Sequence, residues 1–141
     1  MPANTVIAHI ERTPYETHIW TDTNVLVADE PPDVGGQGRG MNPFDLLQSA
    51  LASCTVMTLR MYADRKGWPR ESVAAHVRWV DDENDGMGMM PTSRSQFTIS
   101  LNLNGPLSDE QRRRLLEIAR RCPIHRLLTN PIAIATSLIE P

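Results

Sequence analysis

The chain has 141 residues, a net charge of −3, two cysteines and four histidines. That length suits a single domain, residues 1–141, and the mild negative balance predicts no general attraction to nucleic acid or an anionic membrane. No apolar run is long enough to span a bilayer, and the N-terminal MPANTVIAHIERT lacks the apolar stretch of a signal peptide. The expected location is therefore cytoplasmic, where two cysteines are more readily free, catalytic or metal-bound than paired as a structural disulfide.

Val6 to Ile10, Glu16 to Trp20 and Val25 to Ala28 read as short strands, punctuated by Thr13-Pro14 and Asp22-Thr23-Asn24. DEPPDVGGQGRG, Asp29 to Gly40, follows as a proline- and glycine-rich loop of a length that often carries function. A helix starts at the N-cap Asn42, with Pro43 in its first position and Asp45 three residues after the cap. Arg65 and Lys66 favour its C-terminal dipole and Gly67 stops it before Trp68-Pro69. At roughly 1.5 Å per residue this helix is long for so small a domain, and its middle is apolar nearly all round, which predicts burial on several sides.

Two strands with period-two alternation come next. Val73, Ala75, Val77 and Trp79 share a face in Ser72 to Val80, as do Phe97, Ile99, Leu101 and Leu103 in Gln96 to Leu103. Asp81 to Ser93 between them reads as a long hairpin loop, in which Met87, Met89 and Met90 belong either to an ordinary exposed loop, the reading preferred, or to a mobile apolar flap. SDEQ at Ser108 to Gln111 is a capping-box pattern announcing a second helix, with Leu115, Leu116, Ile118, Ala119 and Cys122 as its apolar stripe. Pro123 limits that helix, and a short turn, Ile124 to Leu128, leads to a last strand, Ile132 to Ile139. The order is α+β, helices packed on antiparallel sheet, and layers of this size gain by dimerising.

The chemistry turns on the cysteines. Packing is the ordinary fate of a single buried cysteine. Cys54 shares a helical face with Leu47 and Ala50, continued by Met57 and Met61, so its thiol is expected in an apolar setting about three turns into the helix. A reactive Cys54 then needs a cation, and Arg12 and Arg39 are the candidates. Cys122 is expected in the last turn of its helix, where carbonyls disfavour a thiolate, with Arg120, Arg121 and Arg126 able to offset them. If one cysteine attacks and the other resolves, Cys54 is the attacker. Cys122-Pro-Ile-His125 with Cys54 is a rival metal constellation, but a lone C-x-x-H is weak and His9, His18 and His76 add no cluster, so no metal is assigned. GGQGRG lacks the spacing and preceding strand of a nucleotide-binding loop.

ADEPPDVGGQGRGMNPFDLLQSALASCTVMTLRMYADRKGW (Ala28 to Trp68) and LLEIARRCPIHRLL (Leu115 to Leu128), with the order of elements around them, resemble the OsmC/Ohr family of osmotically induced and organic hydroperoxide resistance proteins, in its OsmC-like branch. The resemblance covers essentially the whole chain. It implies an intertwined homodimer with the two long helices at its centre and active sites at the subunit interface. It also implies a thiol-dependent peroxidase with no bound cofactor: Cys54 attacks an organic hydroperoxide and becomes a sulfenic acid, Cys122 condenses with it to a disulfide, and an external thiol or dithiol restores the pair. Where relatives with defined peroxidase sites read Asn-Pro-Glu, this chain reads Asn42-Pro43-Phe44, with Asp45 next. Asp45 is either the stand-in or only an N-terminal helix acid. Position counting gives Arg12 as the arginine, with Tyr15 aligning equally well. Leu47, Ala50 and Met57, with Phe44 nearby, are the expected apolar lining that favours an organic peroxide over hydrogen peroxide. The alternative is an OsmC fold with an incomplete peroxidase site that binds a small molecule or senses redox state.

Overall fold

A computed structural model describes residues 3–69, 71–81, 91 and 94–140. The chain divides into two compact units, Met1–Leu47 and Gln48–Pro141. The expected Asp81–Ser93 loop, with Met87, Met89 and Met90, lies outside the described residues except at Asp81 and Pro91.

The first unit contains a three-stranded antiparallel sheet in the order β1 (Ile7–Ile10), β2 (Thr17–Trp20) and β3 (Val25–Ala28). His9 stands opposite His18, and His18 opposite Val27. After β3 the chain turns through a short 3-10 segment, Pro32–Val34, and comes back so that Met41 bridges Ala28. Two glycines make the return possible by close approach. A Cβ on Gly36 would lie 1.9 Å from the Glu30 carbonyl oxygen, and one on Gly40 would lie 2.0 Å from that of Val27.

Helix α1 runs from Pro43 to Lys66 and carries the chain from the first unit into the second. Its start is capped as expected: the Asp45 N–H donates to Asn42 Oδ1 at 2.8 Å. Gly67, at φ 65°, ends it, and the Trp68 N–H donates back to the Ala63 carbonyl at 3.0 Å.

In the second unit, β4 (Ser72–Asp81) and β5 (Ser95–Asn104) form an antiparallel pair with Val77 opposite Ile99 and Trp79 opposite Phe97. Val73, Ala75, Val77 and Trp79 are half-buried while Ala74, His76 and Arg78 are exposed, as the alternation requires. Helix α2 (Asp109–Ala119) begins with the reciprocal Ser108–Gln111 capping box. Leu59 of α1 and Leu115, Ile118 and Ala119 of α2 form the buried core, with Tyr62, Trp68, Val73, Leu101, Leu103 and Leu107 packed round it. Arg112 donates to the carbonyls of Leu103 at 2.6 Å and Gly105 at 3.1 Å, fixing α2 to the end of β5.

Three expectations are corrected. Leu116 is not part of the apolar stripe: it is 51% exposed, because a helix of this length buries only the line Leu115, Ile118, Ala119. Ile124 to Leu128 is not a turn but belongs to a third helix, α3 (Pro123–Thr129), since Pro123 is well suited to a first helical position. Ile132 to Ile139 is not a strand in this chain. It runs without regular structure, with Ile134, Leu138 and Ile139 almost fully exposed. A strand needs a neighbour for its N–H and C=O groups, and among the described residues β4 and β5 pair only with each other.

Candidate active site

The sequence predicts a helix buried on several sides, but α1 buries one line of side chains, Leu51, Thr55, Leu59 and Ala63, spaced every four residues. Within it the Thr55 hydroxyl donates to the Leu51 carbonyl at 2.7 Å, so its polar group is satisfied in the dry interior. The residues expected to surround the thiol are placed differently. Leu47, Met57 and Met61 are exposed, and Ala50 and Cys54 are half-buried. Cys54 therefore sits on the shoulder of the buried line, three residues beyond Leu51 and next to Thr55. It is in contact with the interior without being enclosed by it.

Cys122 is not in the last turn of α2, which ends at Ala119. It occupies the corner between α2 and α3 as the N-cap of α3. Pro123 is the cause: its ring disfavours helical geometry in the residue before it, and Cys122 adopts φ −55° and ψ 130°. The Cys122 N–H donates to the Ala119 carbonyl at 3.4 Å and its own carbonyl accepts the Arg126 N–H at 3.0 Å, so its backbone is held by both helices. Its side chain is 0% exposed.

This corner brings the two cysteines together. Both are free thiols, and their side chains lie close enough for Cys54 to influence the titration of Cys122. Burial pushes the Cys122 thiol above its ordinary value, and the neighbouring Cys54 pushes it further, while the backbone N–H groups of His125 and Ile124 oppose both, so the protonated form of Cys122 is favoured. The sequence placed helix-end carbonyls beside Cys122; N–H groups of the next helix stand there instead.

Behind this corner lies a cavity of about 340 Å³ lined by Leu51, Ser95, Gln96, Phe97, Ile99, His125, Leu128 and Thr129. Its walls are mixed, with Leu51, Phe97, Ile99 and Leu128 apolar and Ser95, Gln96, His125 and Thr129 polar. Leu51 lies one turn before Cys54 on α1 and His125 lies on the first turn of α3, so the cavity borders the elements that carry both thiols. Among the described residues no three histidine, cysteine, aspartate or glutamate side chains gather where they could hold a metal ion.

The remaining expected site residues belong to the first unit or to the start of α1. Arg12 and Asp45 are exposed and Phe44 is half-buried. Asp45 stands in the first turn of α1, bonded through its backbone to Asn42. The cation with a defined partner in the first unit is Arg39, whose guanidinium lies 3.6 Å from Glu16, which also lies 3.2 Å from His18.

The family model for OsmC-like proteins matches residues 36–137. The chain belongs to the OsmC-like family. Solved structures agree in fold. An OsmC-like protein from Mycoplasma pneumoniae has a TM-score of 0.71 at 19% identity, covering 88% of this chain and 85% of its own. An organic hydroperoxide resistance protein OsmC from Legionella pneumophila has a TM-score of 0.63 at 21% identity, covering 89% and 88%. The organic hydroperoxide resistance protein OhrB of Bacillus subtilis has 0.57 at 22%, covering 89% of each chain. Comparison with curated proteins gives no match.

Sequence reasoning about this OsmC-like chain missed Asp29. The residue is buried, and its carboxylate accepts the backbone N–H groups of Glu30 (2.8 Å), Arg39 (3.1 Å), Tyr15 (3.2 Å) and Gln37 (3.2 Å). Burial works to raise its pKa, but these four donors outweigh it and hold the carboxyl below its usual value of 3.8. The signal was present: one acid heading a loop rich in glycine leaves several backbone donors without strand partners, and something must accept from them. Gln48 was missed for a similar reason. Its side-chain oxygen accepts the Trp79 N–H at 3.1 Å, a backbone donor of β4 that α1 satisfies, and no local pattern encodes so distant a pair.

Proposed function

We propose that this OsmC-like protein is a thiol-dependent peroxidase that reduces organic hydroperoxides with Cys54 as the attacking and Cys122 as the resolving cysteine. The observation that carries the reading is the neighbouring Cys54–Cys122 pair of free thiols, one partly open and the other fully buried. Cys54 thiolate attacks the terminal peroxide oxygen, the O–O bond breaks, an alcohol leaves, and Cys54 becomes a sulfenic acid. Cys122, its neighbour, then attacks the sulfenic acid with loss of water and closes an S–S bond of about 2.05 Å. An external thiol then restores both cysteines. No bound cofactor enters this cycle, and cytoplasmic reducing conditions would supply the thiol.

Hydroperoxide resistance in the names of the Legionella and Bacillus structural neighbours supports this reading. The apolar groups Val56, Met57, Met61 and Val73 along the exposed side of α1 support an alkyl rather than a hydrogen peroxide substrate. The proposed assembly is a homodimer. Leu47, Met57 and Met61 along α1 and Ile134, Leu138 and Ile139 in the C-terminal segment are exposed apolar groups that a second copy would cover. The activating cation belongs to the proposal too, with Arg12 and Arg39 as its two candidates.

A second reading, a redox-sensing or small-molecule-binding protein without peroxidase turnover, has one observation in its favour. Phe44 stands at the family's glutamate position, and Asp45 beside it is an exposed first-turn acid. Measuring consumption of an alkyl hydroperoxide with a recycling dithiol separates the two. Peroxidase function predicts turnover by the wild type and none by Cys54→Ser. Equal rates for the two proteins would contradict it.

A further inference from the structure

The two sulfurs differ in the one property that decides how their disulfide is reopened. Thiol–disulfide exchange is an in-line displacement, in which the attacking sulfur approaches one sulfur from the side opposite the other. At Cys122 that side is closed. The side chain is 0% exposed, its backbone is bonded to α2 and α3 at once, and the N–H groups of Ile124 and His125 face its sulfur. Cys54, by contrast, is only half-buried, so of the two sulfurs it is the one an entering thiol can reach.

We propose that the reducing thiol attacks Cys54, so that the mixed disulfide forms on Cys54 and Cys122 is the leaving group. The inference rests on the peroxidase reading only in supposing that the Cys54–Cys122 disulfide is the oxidised form. The step balances as R–SH plus Cys54–S–S–Cys122 giving R–S–S–Cys54 plus Cys122–SH: one S–S bond breaks, one forms, and the proton of the entering thiol ends on Cys122. A second thiol then attacks the mixed disulfide and releases R–S–S–R and the Cys54 thiol. As Cys122 departs, the Ile124 and His125 N–H groups meet its negative charge, and burial then favours its protonation. Any assembly of this chain in which a peroxide reaches Cys54 also leaves an opening by which a small thiol reaches it.

The test uses the full-length protein and the two cysteine-bearing tryptic peptides, Gly40–Arg60 and Cys122–Arg126. One sample is oxidised with diamide, which needs no peroxidase chemistry, and another with an alkyl hydroperoxide. Each is exposed briefly to 2-mercaptoethanol, quenched in acid, capped with N-ethylmaleimide and mapped by mass spectrometry. The expected result is mercaptoethanol on Gly40–Arg60 and maleimide on Cys122–Arg126, in at least tenfold excess over the reverse pattern. The reverse pattern, an even mixture, or a failure of diamide to close the pair would overturn the proposal. Closure by diamide but not by the hydroperoxide would refute the peroxidase reading, with the point of attack still decided by the diamide sample.

Discussion

The two compact units are held by different forces. Ile7 to Gly40 has few buried apolar side chains and one buried carboxylate, Asp29, on which four backbone N–H groups converge. Gln48 to Thr129 is organised by apolar packing, Leu59 against Leu115, Ile118 and Ala119, and its thiol pair is fixed by the elements that make that core. A polar hub specifies the path of a loop through directional bonds and responds to pH. An apolar core is indifferent to pH and sensitive to lost volume.

The largest effect expected from this contrast is at Leu59, which is fully buried. Leu59→Ala should destabilise the second unit by about 2–5 kcal/mol through lost transfer energy and the cavity left behind. Denaturant unfolding followed by tryptophan fluorescence checks it, since Trp68 packs on this core. A loss below about 1 kcal/mol would show that the site refills and that the core is looser than its burial suggests.

A smaller and more local effect is expected from Asp29→Asn. It leaves the shape but removes the charge on which the four donors converge. Hydrogen exchange should speed up at the Tyr15, Glu30, Gln37 and Arg39 amides while those of α2 are unchanged. Acid should do the same to the wild type. The Asp29 carboxyl is held below its ordinary value, so its contribution is complete above about pH 3.8 and fades as pH falls through the lowered value. Equal loss of protection in both units would break the comparison.

Cys122 carries the opposite sign. Its thiol is raised above the ordinary value of 9.0, so the stability it contributes is present below that pH and lost as pH rises through the raised value. Alkylation of Cys122 in the reduced protein should therefore stay slow at pH 9 and accelerate only at higher pH. Rapid modification at pH 8 would show that the corner opens. The smallest effect is expected at the exposed Arg60–Asp64 pair, 3.3 Å apart one turn along α1, where Arg60→Ala should cost no more than about 0.5 kcal/mol in a thermal melt.

What the sequence made legible follows the same division. Helix α1 was readable to its ends, because Asn42, Pro43 and Gly67 punctuate it locally, and the alternating strands β4 and β5 were placed within about a residue. The family resemblance implied that the two cysteines work as a pair. Their surroundings were not legible. Which face of α1 is buried depends on α2 and β5, so Cys54 was expected inside an apolar stripe and instead lies beside the buried line of Leu51 and Thr55. Pro123 was recognised as the end of one helix, while its equal fitness to start another was overlooked, and that error put the wrong backbone groups beside Cys122. The Ile132–Ile139 segment has the composition of a strand without a pairing partner among the described residues. Asp29 and Gln48 act through long-range bonds to backbone N–H groups, which no local periodicity reports.

The central claim is that Cys54 and Cys122 form one redox pair driven by an organic peroxide. Counting free thiols in the reduced protein before and after one equivalent of an alkyl hydroperoxide, with hydrogen peroxide in parallel, tests it most directly. The account predicts rapid loss of both thiols per chain with the alkyl hydroperoxide and slower loss with hydrogen peroxide. Two thiols still free after prolonged exposure to the alkyl hydroperoxide would contradict it.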